Sequence, residues 1–192
     1  IGIMNIRLPA DLDDRYHLLQ HIPPRERPVV FVGPFEHHSN ELPWRESIAD
    51  VVTIQEDADG HIDLAQLEAE LVRFTDRPVK IGSFSAASNV TGILSNSCAI
   101  ADLLHRHGAL SMWDFAAAAP YVDIDMHPAD DPEAYLDAVF LSPHKFLGGP
   151  GSAGVLIFNN NNNGLPSMAD DPNINGITIP SLGITQADGN TL

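Results

Sequence analysis

Short apolar segments alternate with amphipathic helical segments over residues 28–158, and this alternation constrains the fold more than any other feature of the sequence. Leucines recur at helical spacing over residues 63–74, after Asp63, a residue type that caps helices. A second amphipathic run, residues 97–107, ends at Gly108, as helices commonly do. The strand candidates are residues 28–33, 51–54, 79–84, 109–113, 138–141 and 153–158. The pattern predicts an α/β fold with a mostly parallel sheet flanked by helices.

Polar clusters follow four of the predicted strands. They are His37-His38, Asn89, Asp114 and His144-Lys145. In sheets of this kind, ligands bind beyond the carboxyl ends of the strands. We therefore expect the four clusters to converge at one edge of the sheet and to form a functional site there.

The segment 142–151 places a lysine between a strand end and a glycine-rich turn, and Lys145 is one of only two lysines in the chain. A lysine amine forms Schiff bases with aldehydes once its pKa is lowered. Pyridoxal 5'-phosphate (PLP) is such an aldehyde, and it also needs a carboxylate against its pyridine nitrogen and donors for its phosphate. The clusters offer these groups: Asp114 as the carboxylate, His37 or His38 to stack on the ring, Asn89 for the ring hydroxyl, and Ser142 and His144 for the phosphate.

A metal site is the alternative use of the same side chains, because imidazole and carboxylate are ligands for zinc and iron. Its ligands would be His37, His38, Asp114 and His144. Adjacent histidines rarely both face one ion, and a metal leaves Lys145 without a role, so we favour the aldehyde cofactor and expect no metal. The sequence predicts Cys98 to be a small core residue, and it predicts a solvated surface position for His61, His105, His107 and His127.

Composition excludes several classes of partner. The formal net charge of −16 argues against nucleic acid and against anionic membrane surfaces, both of which need basic protein surface. No apolar run approaches the roughly 20 residues of a membrane span. Cys98 is the only cysteine, so no intrachain disulfide can form. A reducing compartment, and hence a cytoplasmic location, is the expectation that fits.

The polar segments resemble the motifs of the class V aminotransferases, a group that includes the cysteine desulfurases. The resemblance lies in residues 36–44, 88–92, 114–120 and 142–151, in the family's order. It implies a PLP-dependent enzyme of the type I fold that acts on an amino acid, and a homodimer. It also implies a role for each site residue: Lys145 for the Schiff base and acid/base chemistry, Asp114 for the pyridinium nitrogen, His37 for ring stacking, Asn89 for the ring oxygen, and Ser142 and His144 for the phosphate.

The chain also departs from the family pattern. Ala117 stands three residues after Asp114, where cysteine desulfurases have glutamine. The N-terminal phosphate loop of the family and the C-terminal cysteine of the desulfurases have no counterpart, and Cys98 lies at a different place. We therefore expect residues 1–158 to be a partial large domain, and sulfur transfer is not the predicted chemistry.

A second resemblance begins near Gly154. Residues 154–192, which include the run Asn159–Asn163, resemble the end of a protease-associated domain, a non-catalytic module of secreted subtilisin-like proteases. It implies a short, β-rich C-terminal segment over residues 159–192, and a secreted location in place of a cytoplasmic one. The alternative functions are a non-catalytic binding module and an inactive composite fragment.

Overall fold

A six-stranded sheet dominates the computed structural model, which describes residues 1–2, 4–128 and 131–159. In the described residues the strands are β1 (Val29–Val32), β2 (Asp50–Thr53), β3 (Lys80–Ser85), β4 (Leu110–Asp114), β5 (Ala138–Leu141) and β6 (Val155–Phe158). Their order in the sheet is β2-β1-β3-β4-β5-β6. The first five strands are parallel, and β6 pairs antiparallel with β5. The predicted α/β fold with a mostly parallel sheet is confirmed.

Helices cover both faces of the sheet. The helices that do so are α2 (His38–Arg45), α3 (Leu64–Arg73) and α4 (Ser97–Arg106), whereas α1 (Ala10–Tyr16) has no buried residue. On one face, buried side chains of α3 and α4 pack against alternate residues of β1, β3 and β4. On the other face, Trp44 of α2 packs against the intervening residues of the same strands. All four residues of β1 are fully buried, which explains why it is an unbroken run of apolar residues.

Local sequence signals set the ends of two helices as predicted. Asp63 caps α3, with its side chain accepting a hydrogen bond from the backbone N–H of Gln66 at 2.9 Å. Gly108, just beyond α4, has a positive φ of 66°, a conformation that glycine adopts without strain. The approach of α4 to β3 also depends on glycine, because a Cβ at Gly82 would lie 2.5 Å from a methyl group of Leu104.

Two predictions about single residues are wrong. Cys98 is exposed on α4 and does not belong to the core. The side chain of His105 is only 6% exposed, and its Nε2 lies 2.9 Å from a carboxylate oxygen of Asp137. Its Nδ1 faces the carbonyl oxygen of Glu133, and its ring stacks on Tyr135 with centroids 3.8 Å apart. The partners of His105 are about thirty residues further along the chain, so the pattern around the helix could not reveal them.

The environment of His105 favours its charged form. Burial by itself would lower the pKa of the ring, but the hydrogen bonds to Asp137 and to the Glu133 carbonyl, together with the charge of Asp137, raise the pKa above its ordinary value. Both ring nitrogens face acceptors, and only the imidazolium can donate to both. The same Asp137 carboxylate accepts the backbone N–H of Ser111 at 2.7 Å, so the pair also fixes the start of β4.

The helix α1 ends at Tyr16, because His17 has a positive φ of 51°. The segment α2 was not predicted as a helix. None of the helices in the described part of the chain is both long enough and apolar enough to cross a bilayer. The predictions for residues 160–192 lie outside the described residues.

The pH dependence of stability tests the His105 pair. Because the folded pKa is raised, protonated His105 stabilises the fold fully below the unfolded value of about 6.5. That contribution is lost as pH rises through the folded pKa. We expect His105→Gln, which can donate to Asp137 but cannot ionise, to lose more stability at pH 6 than at pH 8.5, measured by urea unfolding. The exposed His21 provides the control, and His21→Gln should show no such difference; an equal loss for His105→Gln at both pH values would contradict the assignment.

Salt should stabilise this chain. The net charge is −16, and Asp114 and Asp137 are the only acidic residues counted as buried in the described part, so self-repulsion lies mainly at the surface. Raising KCl from 0.1 to 1 M shortens the Debye length from about 10 Å to about 3 Å. We expect the thermal midpoint to rise by several degrees, measured by circular dichroism. An unchanged or lower midpoint would show that repulsion between surface charges does not limit stability. Sucrose is the control, because it carries no charge and shows how far exclusion of a solute from the protein surface raises the midpoint by itself.

Candidate active site

Four adjacent parallel strands deliver the predicted site residues to one edge of the sheet. The strands β1, β3, β4 and β5 are neighbours in that order, so their carboxyl ends share this edge. Asp114 is the last residue of β4, and the loops that leave the other three strands contain His37, Asn89, Ser142, His144 and Lys145. The convergence expected from the sequence is therefore present in the topology, while the chemical role of each residue stays a prediction.

Asp114 is the last residue of β4 and is only 8% exposed. Its backbone carbonyl accepts the N–H of Ala86, and the next residue, Phe115, donates to the carbonyl of Phe140, so both neighbouring strands fix its position. Its Oδ1 accepts the backbone N–H of Ala116 at 2.8 Å. Among the described residues, Oδ2 makes no hydrogen bond, and the carboxylate therefore has an oxygen available for a ligand.

His37 is exposed and caps the N-terminus of α2. Its Nδ1 accepts the backbone N–H of Ser39 at 3.2 Å and lies 2.8 Å from the Ser39 hydroxyl oxygen. A ring nitrogen that accepts cannot also be protonated, so the neutral ring has its proton on Nε2. The capping bonds thus set both the tautomer and the orientation of the ring, leaving its outer side exposed.

Asn89 lies at the tip of a closed turn between β3 and α4. The hydroxyl of Ser88 accepts the backbone N–H groups of Val90 and Thr91, and the carbonyl of Ser88 accepts that of Gly92. Gly92 has a positive φ of 74°, which a side chain would strain. The turn presents the exposed Asn89 amide on a fixed backbone.

Lys145 ends a short 3-10 turn, Pro143–Lys145, directly after β5 and Ser142. Its backbone N–H donates to the Ser142 carbonyl at 2.9 Å, and its side chain is exposed and free of ion pairs to the described residues. The loop then folds back on itself, because the N–H of Gly149 donates to the carbonyl of Phe146 at 2.9 Å. A Cβ at Gly149 would lie only 1.9 Å from the Pro143 carbonyl oxygen, so this fold of the loop requires glycine there.

No hydrogen bond or ion pair joins two of the six predicted side chains within the described ranges. The alternative metal ligands are likewise not assembled. Over residues 1–2, 4–128 and 131–159, no three side chains of histidine, cysteine, aspartate or glutamate lie in a group that could hold a metal ion. The edge presents a carboxylate at the end of β4, an imidazole after β1, an amide after β3, and a hydroxyl, a second imidazole and an amine on the loop after β5.

Glu36 is a partly buried residue at the same edge that the sequence analysis missed. Its Oε1 accepts the backbone N–H groups of Ser85 at 2.8 Å and Gly33 at 3.2 Å. Its Oε2 lies 2.6 Å from Asn40 Nδ2 and accepts the Ser85 hydroxyl at 2.8 Å. Burial raises the pKa of the Glu36 carboxyl, and these four donors oppose that rise.

A spacing signal in the sequence could have indicated this network. Glu36, Asn40 and Trp44 follow one another at intervals of four residues, the spacing of one helix face. Asn40 and Trp44 are both bonded to the Ser83 hydroxyl, at 2.8 Å and 3.0 Å. The motif at residues 36–44 therefore anchors α2 on β3 in addition to presenting His37.

The sheet places the chain in a class of protein, the type I fold of PLP-dependent enzymes, because solved structures of that fold match it. The family model described as Aminotransferase class-V matches residues 17–178. The chain therefore belongs to the class V aminotransferase family, whose members are PLP-dependent. The resemblance stated from the motifs is confirmed.

Relatives and structures agree with this assignment. A probable cysteine desulfurase of Halalkalibacterium halodurans is 33% identical over 131 residues, which are 66% of this chain and 30% of the relative. The structure of the Escherichia coli cysteine desulfurase CsdA is 30% identical with a TM-score of 0.53, covering 71% of this chain and 33% of that one. A serine palmitoyltransferase from S. paucimobilis with bound PLP-myriocin aldimine shares the fold, with a TM-score of 0.56 at 16% identity, covering 71% of this chain and 34% of that one.

These matches also bear on the extent of the family segment. The chain spans about 30% of the length of the first curated relatives that it matches. The family match extends to residue 178, past Gly154, where the resemblance to a protease-associated domain begins. The comparisons lend no support to that second resemblance, and the division of the chain at residue 158 stays a prediction.

The Lys145 loop gives a test of its own. We expect Gly149→Ala to lower the free energy of unfolding by about 1–3 kcal/mol, the usual cost of forcing an atom into filled space. The cost arises because the new methyl group meets the Pro143 carbonyl, which is backbone and cannot rotate away. Urea unfolding provides the measurement. Gly154→Ala is the matched control, since a Cβ there makes only an ordinary contact of 3.7 Å with the Leu141 carbonyl oxygen; equal effects of the two substitutions would contradict the loop geometry.

Proposed function

We propose that this chain contributes the cofactor-binding lysine and pyridinium carboxylate of a PLP-dependent enzyme that transforms an amino acid. The observation that supports it is the placement of Lys145 and Asp114. Lys145 follows β5 and Asp114 ends β4, two adjacent parallel strands, at the carboxyl edge of the sheet in a family that depends on PLP.

The residues at the edge fit the chemical needs of PLP. When bound, PLP supplies an electron sink that stabilises a carbanion at a substrate carbon. The chain must supply an amine, a carboxylate, a group against the ring and donors for a phosphate, and each of these is present on a loop at this edge. A metal site would use only the histidines and Asp114, and the described residues do not assemble it.

Asp114 would hold the proton on the pyridine nitrogen. One of its oxygens is fixed by the Ala116 N–H, and the other makes no hydrogen bond among the described residues. Its burial to 8% exposure places the carboxylate where water screens its charge poorly, and this strengthens its attraction for a pyridinium. Loss of the negative charge of Asp114 would therefore make the pyridine ring of the cofactor a weaker electron sink.

Lys145 would hold the cofactor covalently through its side-chain amine. The same amine would hold or move a proton at the substrate carbon. Its exposed position on the 3-10 turn leaves the amine accessible to a small molecule. Lys80, the other lysine, lies at the start of β3 and hence at the opposite edge of the sheet.

The remaining residues would orient the cofactor. The His37 ring, held by Ser39, would pack on a ring face, and the Asn89 amide would donate to the ring oxygen. Ser142 and His144 flank Pro143 at the turn and would hold the phosphate. A homodimer stays a prediction from the family resemblance, and a cytoplasmic location stays a prediction from the single cysteine.

The names of the relatives suggest cysteine as the first amino acid to test. Ala117 replaces the glutamine that the resemblance leads us to expect in desulfurases, and Cys98 lies on α4, so desulfuration itself is not part of the proposal. We propose only that the chain holds PLP for a reaction of an amino acid, with Lys145 as the residue that anchors the cofactor.

Reductive labelling tests the assignment of Lys145. PLP is added to the chain, borohydride reduces the C=N bond, and peptide mass mapping locates the pyridoxyl group. We expect the label on Lys145, with a visible absorbance band before reduction and loss of both in Lys145→Ala. Lys80→Ala is the matched control and should keep both. Equal labelling of the two variants would sink the proposal, and no labelling of the unsubstituted chain would favour a binding module or an inactive fragment.

A further inference from the structure

We propose that Glu36 is a positioning residue that holds two loops in a fixed relation across the candidate site. One is the loop after β1, which contains His37, and the other is the loop after β3, which contains Asn89 and is called the Asn89 loop below. The proposal concerns two loops that leave neighbouring strands, β1 and β3. The expected effect of Glu36 on cofactor binding rests on the function proposed above. The expected effect of Glu36 on the position of the two loops does not.

The position of Glu36 follows from the unequal lengths of β1 and β3. The pairing of the two strands stops at Val32 and Ser83, but β3 continues to Ser85. The Ala86 N–H donates to β4, so the Ser85 N–H points to the opposite side, towards β1. Because β1 has already ended there, the Ser85 N–H has no strand partner. The Glu36 carboxylate accepts the Ser85 N–H at 2.8 Å and so takes the place that a longer β1 would occupy.

The same carboxylate is bonded to both loops at once. On the β1 side the carboxylate accepts the N–H of Gly33, the first residue after the strand. Glu36 itself directly precedes His37 in the chain. On the β3 side it accepts both the N–H and the hydroxyl of Ser85, from which the Asn89 loop departs. The Ser85 carbonyl in turn accepts the Ser95 hydroxyl at 2.8 Å, which closes the base of the loop.

A buried chain of hydrogen bonds supports the carboxylate from behind. The Trp44 indole N–H donates to the Ser83 hydroxyl, which donates to Asn40 Oδ1, and Asn40 Nδ2 donates to Glu36 Oε2. Asn40 and Ser83 are buried, and in the described residues every side-chain nitrogen or oxygen atom that is wholly shielded from solvent has a partner. Four donors surround Glu36, as a carboxylate requires, and a neutral amide at this position would set an N–H against Asn40.

This arrangement makes a reciprocal exchange informative. In Glu36→Gln, the introduced NH2 group faces the NH2 group of Asn40, so two donors meet. In Asn40→Asp, two carboxylates meet. In the double variant E36Q/N40D, the amide donates to the carboxylate, while the carboxylate still accepts the Ser83 hydroxyl. A network of this kind predicts that each single change disrupts the loops and that the double change restores them in part.

The first measurement is amide hydrogen exchange in the whole chain, without cofactor. We expect the Ser85 and Gly33 amides to exchange about tenfold faster in Glu36→Gln, as for a loss of about 1.4 kcal/mol in local stability, and to recover in the double variant. Glu41→Gln is the control, because Glu41 lies on the same helix and bonds only to Arg45 among the described residues. Ser85→Ala, which keeps the backbone N–H, provides a milder variant if Glu36→Gln does not fold.

The second measurement is the dissociation constant of PLP, from absorbance titration. We expect it to rise about tenfold in Glu36→Gln or Ser85→Ala, to fall back in E36Q/N40D and to stay unchanged in Glu41→Gln. Unchanged exchange of both amides overturns the proposal. Faster exchange with an unchanged dissociation constant overturns the part of the proposal that links Glu36 to cofactor binding. If the unsubstituted chain does not bind PLP, the proposed function fails, and the exchange data alone decide whether Glu36 positions the two loops.

Discussion

Pairing between parallel strands is the constraint on which the rest of this structure depends. Because β1, β3, β4 and β5 are parallel neighbours, each connection must return to the opposite edge before the next strand begins. The loop that follows each of these four strands therefore begins at the same edge. Residues as distant in sequence as His37 and Lys145 come to one edge without any direct contact between them. The burial of both sheet faces leaves that edge as the place where polar side chains can gather.

Strand ends leave backbone N–H groups without partners, and two acidic side chains satisfy them here. Glu36 accepts the Ser85 N–H at the carboxyl edge, and Asp137 accepts the Ser111 N–H near the start of β4. The two acids differ in what balances their charge. Glu36 is surrounded by neutral donors, and its burial raises the pKa of its carboxyl. Asp137 faces His105, and although burial opposes the charged ring, the net effect is a raised pKa for His105.

The sequence predicted those features that depend on local pattern or on topology. The bounds of β5 and the Asp63 cap were predicted as the structure has them, because apolar runs and capping chemistry are local signals. The shared edge could be predicted because alternation of strands and helices already implies parallel strands. The helix α2 was missed because its sequence is mostly polar and contains Pro43, so it lacks the apolar period of α3.

The features that were missed or wrong depend on partners distant in sequence. Glu36 lies 49 residues from Ser85, and His105 lies 32 residues from Asp137. No local pattern distinguishes a carboxylate that meets such a partner from one that meets water. The exposure of Cys98 has the same origin, since the side of α4 that faces the sheet is fixed by packing on β3 and β4. The motif at residues 36–44 pointed to His37, yet its spacing also encodes the anchoring face of the helix.

The charge of the chain sets a further condition on the proposed site. A net charge of −16 repels an anionic phosphate at long range, so any site for it must act through short-range donors. The loops at the carboxyl edge supply such donors in His37, Asn89, Ser142, His144 and Lys145, while the other lysine, Lys80, lies at the far edge. The acid closest in sequence to these donors, Glu36, is not free to oppose them, because four N–H and O–H groups already bind its carboxylate. An acidic chain can thus present an edge whose unpaired polar groups are mostly hydrogen-bond donors. The local chemistry of the edge differs from the overall charge of the chain because the Glu36 carboxylate is already bound by donors within the fold.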